Sequence, residues 1–151
     1  MIVITSHSQL PDDAALIRCL DHWSIPHSHW TAEAIADCLA APGTLVITAA
    51  VDEQWCGFLV MRISGEFADV FYVYLAAEQR RRGIGDRLMA AAEDAARASS
   101  AARVLLEVRV GNVPALRLYE KRGYQLVARK PAYYSDGEDA WVYRLELVPH
   151  A

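Results

Sequence analysis

Apolar positions fall along this chain in two rhythms. Short dense runs of Val, Ile, Leu and aromatic residues read as strands, and stretches with apolar residues three and four apart read as helices. Ile2–Thr5 is a short strand candidate. Pro11–Leu20 reads as a helix, with its proline near the first turn and two early acids. Trp30–Leu39 reads as a second helix with Thr31 as N-cap, stopped by Pro42-Gly43. Thr44–Val51 and Trp55–Ile63 are apolar runs flanking Asp52-Glu53-Gln54, and a three-residue connection predicts an antiparallel hairpin. Ser64-Gly65-Glu66 makes a second turn into Val70–Leu75, so three strands form a meander.

The second half alternates. Ile84, Leu88, Ala91, Ala92 and Ala95 share one face of a helix running from Asp86 to about Ser99. Val104–Val110 is the next strand. Val113–Arg122 is a helix with Asn112 as N-cap, an early Pro114, and Gly123 as its stop. Gln125–Ala128 and Trp141–Leu147 are late strands around a polar loop. No linker, repeat or low-complexity segment interrupts this order. The expectation is one α/β domain over residues 1–151, with a mixed central sheet of about six to seven strands flanked by about four helices.

Composition narrows the class. With 54% hydrophobic and 23% charged residues, the chain reads as a globular domain that can bury a core. No apolar run approaches the roughly 20 residues that span a bilayer, and Met1–Ser8 lacks a basic leader pattern, so no membrane contact and a cytoplasmic location are expected. A net charge of −4 argues against direct nucleic-acid binding. Cys19, Cys38 and Cys56 are odd in number with no C-x-x-C pair, and His22, His27 and His29 match no zinc spacing. No metal is expected.

Against that acidity, Arg80-Arg81-Arg82-Gly83-Ile84-Gly85 lies between a strand and a helix start. Main-chain N–H groups there lack intrahelical partners, glycine lets the chain approach a ligand, and arginine forks match phosphate oxygens. The spacing is R-x-x-G-x-G, which is neither a nucleotide P-loop nor G-x-G-x-x-G. By itself the loop indicates a pyrophosphate-like anion, or a basic turn that starts a helix.

Two further residues could carry chemistry. Glu107 is a carboxylate within an apolar strand, and alternation places it on one face with Leu105 and Arg109. It reads either as a general base, or as an ion-pair partner of Arg109 or part of an exposed strand face. Tyr119 reads either as a phenolic acid or as a core aromatic spaced on Ala115 and Leu116.

The strand, R-x-x-G-x-G loop, alanine-rich helix and next strand resemble the acyl-CoA-binding core of the GNAT superfamily of N-acetyltransferases. Leu106–Arg109, Asn112, Ala115, Leu118-Tyr119-Glu120, Gly123-Tyr124, Arg129, Tyr133-Tyr134 and Gly137–Ala140 sharpen this. Together they resemble the RimI-type ribosomal-protein-alanine N-acetyltransferases and related Nα-acetyltransferase subunits. Trp30-Thr31 is similar to the aromatic–serine element opening the second helix of that group. The resemblance covers about residues 70–143. It departs at Leu75-Ala76-Ala77, at Gly111, in a shorter loop after Tyr134, and at Tyr143, where a methionine is often seen.

What the resemblance implies is a single-domain GNAT-like fold and acetyl-CoA as co-substrate. The acceptor would be a protein N-terminus, the alanine of a small-subunit ribosomal protein. Transfer would be direct, in a ternary complex without a covalent acyl-enzyme. Glu107 would be the base, directly or through water, and Tyr119 the acid. Backbone at Val73, Tyr74 and Leu75 would pair with pantetheine and supply an N–H to the developing oxyanion. Arg80, Arg81, Arg82, Gly83, Ile84, Gly85 and Asp86 would surround the pyrophosphate. Asn112 would cap its helix, contact the cofactor arm, or both. Tyr133 and Tyr134 would clamp the peptide, or pack in a polar hairpin turn. A small-molecule amine, a lysine side chain, or a silent acyl-CoA-binding module are the other readings of the same fold.

Overall fold

The computed structural model describes residues 1–147, with side chains described for all of these except Ile25, Pro26 and His27. The elements are β1 (Ile2–His7), α1 (Ala14–His27), α2 (Ala32–Leu39), β2 (Thr44–Val51), β3 (Gln54–Ser64) and β4 (Phe67–Leu75). A 3₁₀ turn at Ala77–Gln79 follows, then α3 (Ile84–Ala98), β5 (Arg103–Arg109), α4 (Val113–Lys121), β6 (Gln125–Lys130) and β7 (Ala140–Glu146). The seven strands form one mixed sheet in the order β1-β2-β3-β4-β5-β7-β6. This is the expected α/β architecture. Among the described residues no helix is long and apolar enough to cross a membrane.

Contacts divide the chain into two compact units. The first comprises Met1–Arg62 and Tyr72–Ala92. Its core is Leu16, Leu20 and Trp23 of α1, Ala32 and Ile35 of α2, and Val46, Phe58 and Val60 of the sheet. Burying aliphatic and aromatic side chains such as these stabilises by about 1.5–3 kcal/mol each. The helix expected over Pro11–Leu20 begins instead at Ala14, because Asp13 accepts from Leu16 N at 3.0 Å and so acts as the cap. It continues to His27, which keeps Leu16, Leu20 and Trp23 on one buried stripe. Thr31 caps α2 as expected, accepting from Ala34 N at 3.1 Å.

The β2–β3 connection is one residue tighter than its sequence suggests. Val51 pairs with Gln54, leaving Asp52 and Glu53 as a two-residue turn with φ of 49° and 70°. Two positive φ angles make the hairpin twist with its strands, although neither residue is the glycine or asparagine that usually signals this turn. The Asp52 carboxylate takes the Met1 ammonium in an exposed pair.

The second unit comprises Ile63–Phe71 and Glu93–Ala151. Within it β4 runs parallel to β5, from Phe67 opposite Arg103 to Val70 opposite Leu106. β7 then pairs antiparallel with β5 on one side and β6 on the other. Burial alternates strictly along β5: Val104, Leu106 and Val108 are buried, while Leu105, Glu107 and Arg109 share the half-exposed face.

Glu93 of α3 is only 4% exposed. Arg122 grips it with Nε at 2.9 Å and Nη2 at 2.6 Å, and the Tyr124 hydroxyl donates to it at 3.0 Å. A buried carboxylate persists only when donors surround it in this way.

Candidate functional site

In the first unit, Val73, Tyr74 and Leu75 close β4, half-buried, and Ala76 N donates to Cys56 O at 2.8 Å. The arginine loop follows. Arg80 Nε donates to the Leu75 carbonyl at 3.1 Å, and Arg82 Nη1 donates to Gln79 Oε1 at 2.7 Å. Each guanidinium has five N–H donors, so both keep donors beyond these bonds. Arg80 thus ties the loop back to the strand end that precedes it.

The loop turns through positive φ at Arg81 (66°) and Gly83 (77°). That conformation is strained for Arg81 and free for glycine. The Gly83 carbonyl accepts from Arg87 N at 3.1 Å, so Gly83 stands at the N-cap of the fifteen-residue α3. Asp13, Thr31 and Asn112 cap the other three helices with side-chain oxygens. Gly83 has no side chain to offer, which favours an outside anion at the α3 N-terminus. Ile84 is buried as an anchor, and Gly85 and Asp86 are half-buried in the first turn.

In the second unit, Glu107 lines a pocket of about 410 Å³ with Asp69, Phe71, Leu105, Lys130 and Tyr133. The Glu107 carboxylate accepts from Lys130 Nζ at 2.7 Å. The ion pair with Arg109 considered from sequence is not formed. Arg109 instead bonds Asp136 at 2.8 Å and Glu138 at 2.9 Å, and lies 4.1 Å from the centroid of the Tyr134 ring. The strand order explains this. Lys130 of β6 pairs with Ala140 of β7, so its long side chain lies on the same sheet end as Glu107.

Tyr133 and Tyr134 meet edge to face at 5.1 Å between ring centroids. The Glu107 carboxylate beside Tyr133 holds that phenol above its ordinary pKa. Burial pushes the Tyr134 phenol up to about 12. The segment carrying them is fixed, not loose. Tyr134 N donates to Glu138 O at 3.1 Å, Gly137 N to Tyr134 O at 2.9 Å, and Ala132 N to the Asp139 carboxylate at 2.7 Å. Gly111 is explained here: its N–H donates to Glu138 Oε2 at 2.9 Å, and a Cβ at 111 would lie 2.9 Å from that same oxygen.

Tyr119 is buried, 6% exposed, with its ring 5.8 Å from Tyr124 and 6.4 Å from Tyr143. Tyr143 also donates to Glu120 at 3.2 Å, so the residue that departs from the family pattern packs beside Tyr119. Burial, with Tyr134 nearby, pushes the Tyr119 phenol up to about 12. Among the described residues its hydroxyl has no hydrogen-bond partner, yet no sealed polar atom is left unsatisfied, so the oxygen reaches solvent. Asn112 caps α4, accepting from Ala115 N at 3.3 Å and leaving its amide N–H₂ group for other contacts.

Glu107, Tyr133 and Tyr134 are therefore within electrostatic reach of one another, and Tyr119 joins them through Tyr134. Sequence reasoning missed Lys130 and Glu138 as their partners, and missed Glu93 and the Asp139 carboxylate that holds Ala132 N. A signal for Glu93 did exist, since it falls four residues after Met89 on the buried stripe of α3. Among the described residues no three His, Cys, Asp or Glu side chains gather as a metal site. Of the histidines weighed above, the His27 side chain lies outside the described residues.

The acetyltransferase (GNAT) family pattern matches residues 13–124. The N-alpha-acetyltransferase of Saccharolobus solfataricus is 33% identical over 113 residues, covering 66% of this chain and 68% of that protein. A Bacillus subtilis protein provisionally assigned as an alanine N-acetyltransferase of ribosomal protein bS18 is 31% identical over 117 residues, covering 76% of this chain and 78% of its own. The ribosomal-protein-S18-alanine N-acetyltransferase of Escherichia coli shares the fold, with a TM-score of 0.83 at 22% identity over 100% of this chain and 97% of that one. With a family match over most of its length and the same sheet and helices, this chain belongs to the GNAT family and is an acetyl-CoA-dependent N-acetyltransferase.

Proposed function

We propose that the acceptor is a protein N-terminal α-amine, the alanine of a small-subunit ribosomal protein, acetylated in the cytoplasm by direct transfer in a ternary complex. The observation that carries this reading is the Glu107–Tyr133 pocket, where a half-buried carboxylate and an aromatic ring hold an ammonium group. Carboxylate plus aromatic face is the chemistry that recognises an ammonium. The relatives named for N-terminal acetylation support it.

Acetyl-CoA supplies the thioester, and the residues present fit it. The exposed loop with positive φ at Arg81 and Gly83, leading into an α3 N-cap without a side chain, suits a pyrophosphate. On this reading Arg80 to Asp86 hold that group, chiefly through main-chain N–H groups. Val73, Tyr74 and Leu75 pair with the pantetheine arm through main-chain groups, and the Asn112 amide contacts it. Tyr133 and Tyr134 hold the peptide terminus.

An α-amine with pKa about 8 is mostly protonated at neutral pH, so Glu107 needs to remove only one proton from a group already near its pKa. Tyr119, with a phenol near 12, keeps its proton across the working range and donates it toward the departing sulfur. Such a phenol is a weaker acid than a thiol of pKa about 8.5, so its hydrogen bond to the departing sulfur carries the stabilisation, and full transfer is completed as solvent returns a proton to the phenolate.

The test uses purified protein and acetyl-CoA with an alanine-starting ribosomal peptide, the same peptide blocked at its N-terminus, and a panel of small amines. Turnover of the free peptide alone is expected. Equal turnover of the blocked peptide would overturn the α-amine assignment, and preferential turnover of a small amine would overturn the protein acceptor.

A further inference from the structure

The carboxylate that the proposed reaction needs is already taken by an ammonium of the protein itself. Lys130 Nζ lies 2.7 Å from Glu107 Oε1 and 5.0 Å from the Tyr133 ring centroid. An acceptor α-amine near neutral pH arrives as an ammonium and seeks the same carboxylate and the same ring. Two ammonium groups cannot share them closely, because like charges a few ångströms apart repel.

Lys130 is held loosely enough to give way. Its side chain is 47% exposed, and every residue of β6 is exposed at the sheet edge. Among the described residues its other attachment at the head is the Tyr133 face. A partly exposed lysine–carboxylate pair contributes little, and the flexible four-carbon stem regains rotamer freedom when it leaves. Arg103 and Arg109 are the cations on that face of β5; Arg103 is engaged by Glu66 and Glu146 and Arg109 by Asp136 and Glu138, so neither replaces Lys130 when it moves.

Resting on the reading of Glu107 as the base, we propose that Lys130 is an internal competitor for the acceptor ammonium and thereby a specificity-determining residue. It fills the Glu107–Tyr133 site in the resting enzyme, and the substrate α-amine enters by exchanging with it. Acceptors that bring a cation displace it; neutral acceptors do not.

The experiment compares Lys130→Met and Lys130→Arg, each with Glu107 intact and as Glu107→Gln. Steady-state kinetics with the alanine peptide are read at saturating acetyl-CoA, and peptide Kd is read by calorimetry in the presence of CoA. Lys130→Met should lower peptide KM and Kd about two- to fivefold, the range expected for losing a partly exposed competing ion pair. Its kcat should stay within about twofold, since Lys130 has left the site before proton transfer on this reading. Lys130→Arg should restore the parent KM. In the Glu107→Gln background the Lys130→Met effect on Kd should vanish, because there is no carboxylate left to contest. An unchanged or raised Kd in Lys130→Met, at a melting temperature matching the parent, overturns the proposal. Should Lys130→Met melt early, Lys130→Gln takes its place with the same expected fall in Kd and the same refuting outcome. Failure of the base reading shows separately, as parent-like kcat in Glu107→Gln, because the Kd arms involve no proton transfer.

Discussion

Replacing Tyr119 with Phe removes a single oxygen from a packed aromatic cluster. The ring is 6% exposed and keeps its contacts with Tyr124 and Tyr143. Among the described residues the hydroxyl has no hydrogen-bond partner, so the substitution strands no donor or acceptor. The stability change should therefore stay within about 0.5 kcal/mol, or about 2 °C in melting temperature for a domain of this size. The kinetic change should be far larger. With its phenol near 12, Tyr119 is neutral to within about one part in ten thousand at pH 7.5 and stands ready to donate. Loss of a positioned general acid slows the chemical step by about 10²–10⁴-fold. Single-turnover transfer to the alanine peptide should show that loss in the transfer rate, with acetyl-CoA Kd changed less than about twofold, because the interaction lost is made in the transition state. A transfer rate within threefold of the parent, in a variant that melts normally, would refute the acid role and leave Tyr119 a core aromatic.

Three further outcomes follow from the same geometry. Arg122→Met should cost about 3–5 kcal/mol in urea unfolding, because it leaves the buried Glu93 carboxylate with Tyr124 as its remaining side-chain partner, and a loss under 1 kcal/mol would show that Glu93 is easily rehydrated. Gly111→Ala should raise peptide KM several-fold by pushing Glu138 off the Gly111 N–H and loosening the Tyr134 segment, and the effect should disappear in a Glu138→Ala background. Tyr119 and Tyr134 have folded-state pKa values raised to about 12, above the ordinary value near 10. Their contribution to stability is full below about pH 10 and is lost as pH rises from there through about 12. Absorbance of tyrosinate should accordingly show these phenols ionising late and together with unfolding, and smooth titration of all seven tyrosines near pH 10 in a folded protein would contradict their burial.

The parts of this protein that were legible in its sequence are those governed by residues close together in the chain. Thr31 and Asn112 announced their helices because a cap bonds an N–H three residues on. The period-two burial of β5 placed Glu107 on the half-exposed face, and the strand–loop–helix at Arg80–Gly85 was visible as a possible anion site. Local signals failed where distant packing won. Trp23 drew α1 on to His27, and the strand pairing of β2 with β3 forced Asp52 and Glu53 into left-handed backbone. Tertiary structure alone decided which charges meet. Lys130 reaches Glu107 across 23 residues because β7 inserts between β5 and β6, and Arg122 reaches Glu93 across 29 because the end of α4 meets α3 at that residue. Spacing along a chain determines which groups a residue offers, but strand order determines which group answers it, and no local periodicity encodes strand order.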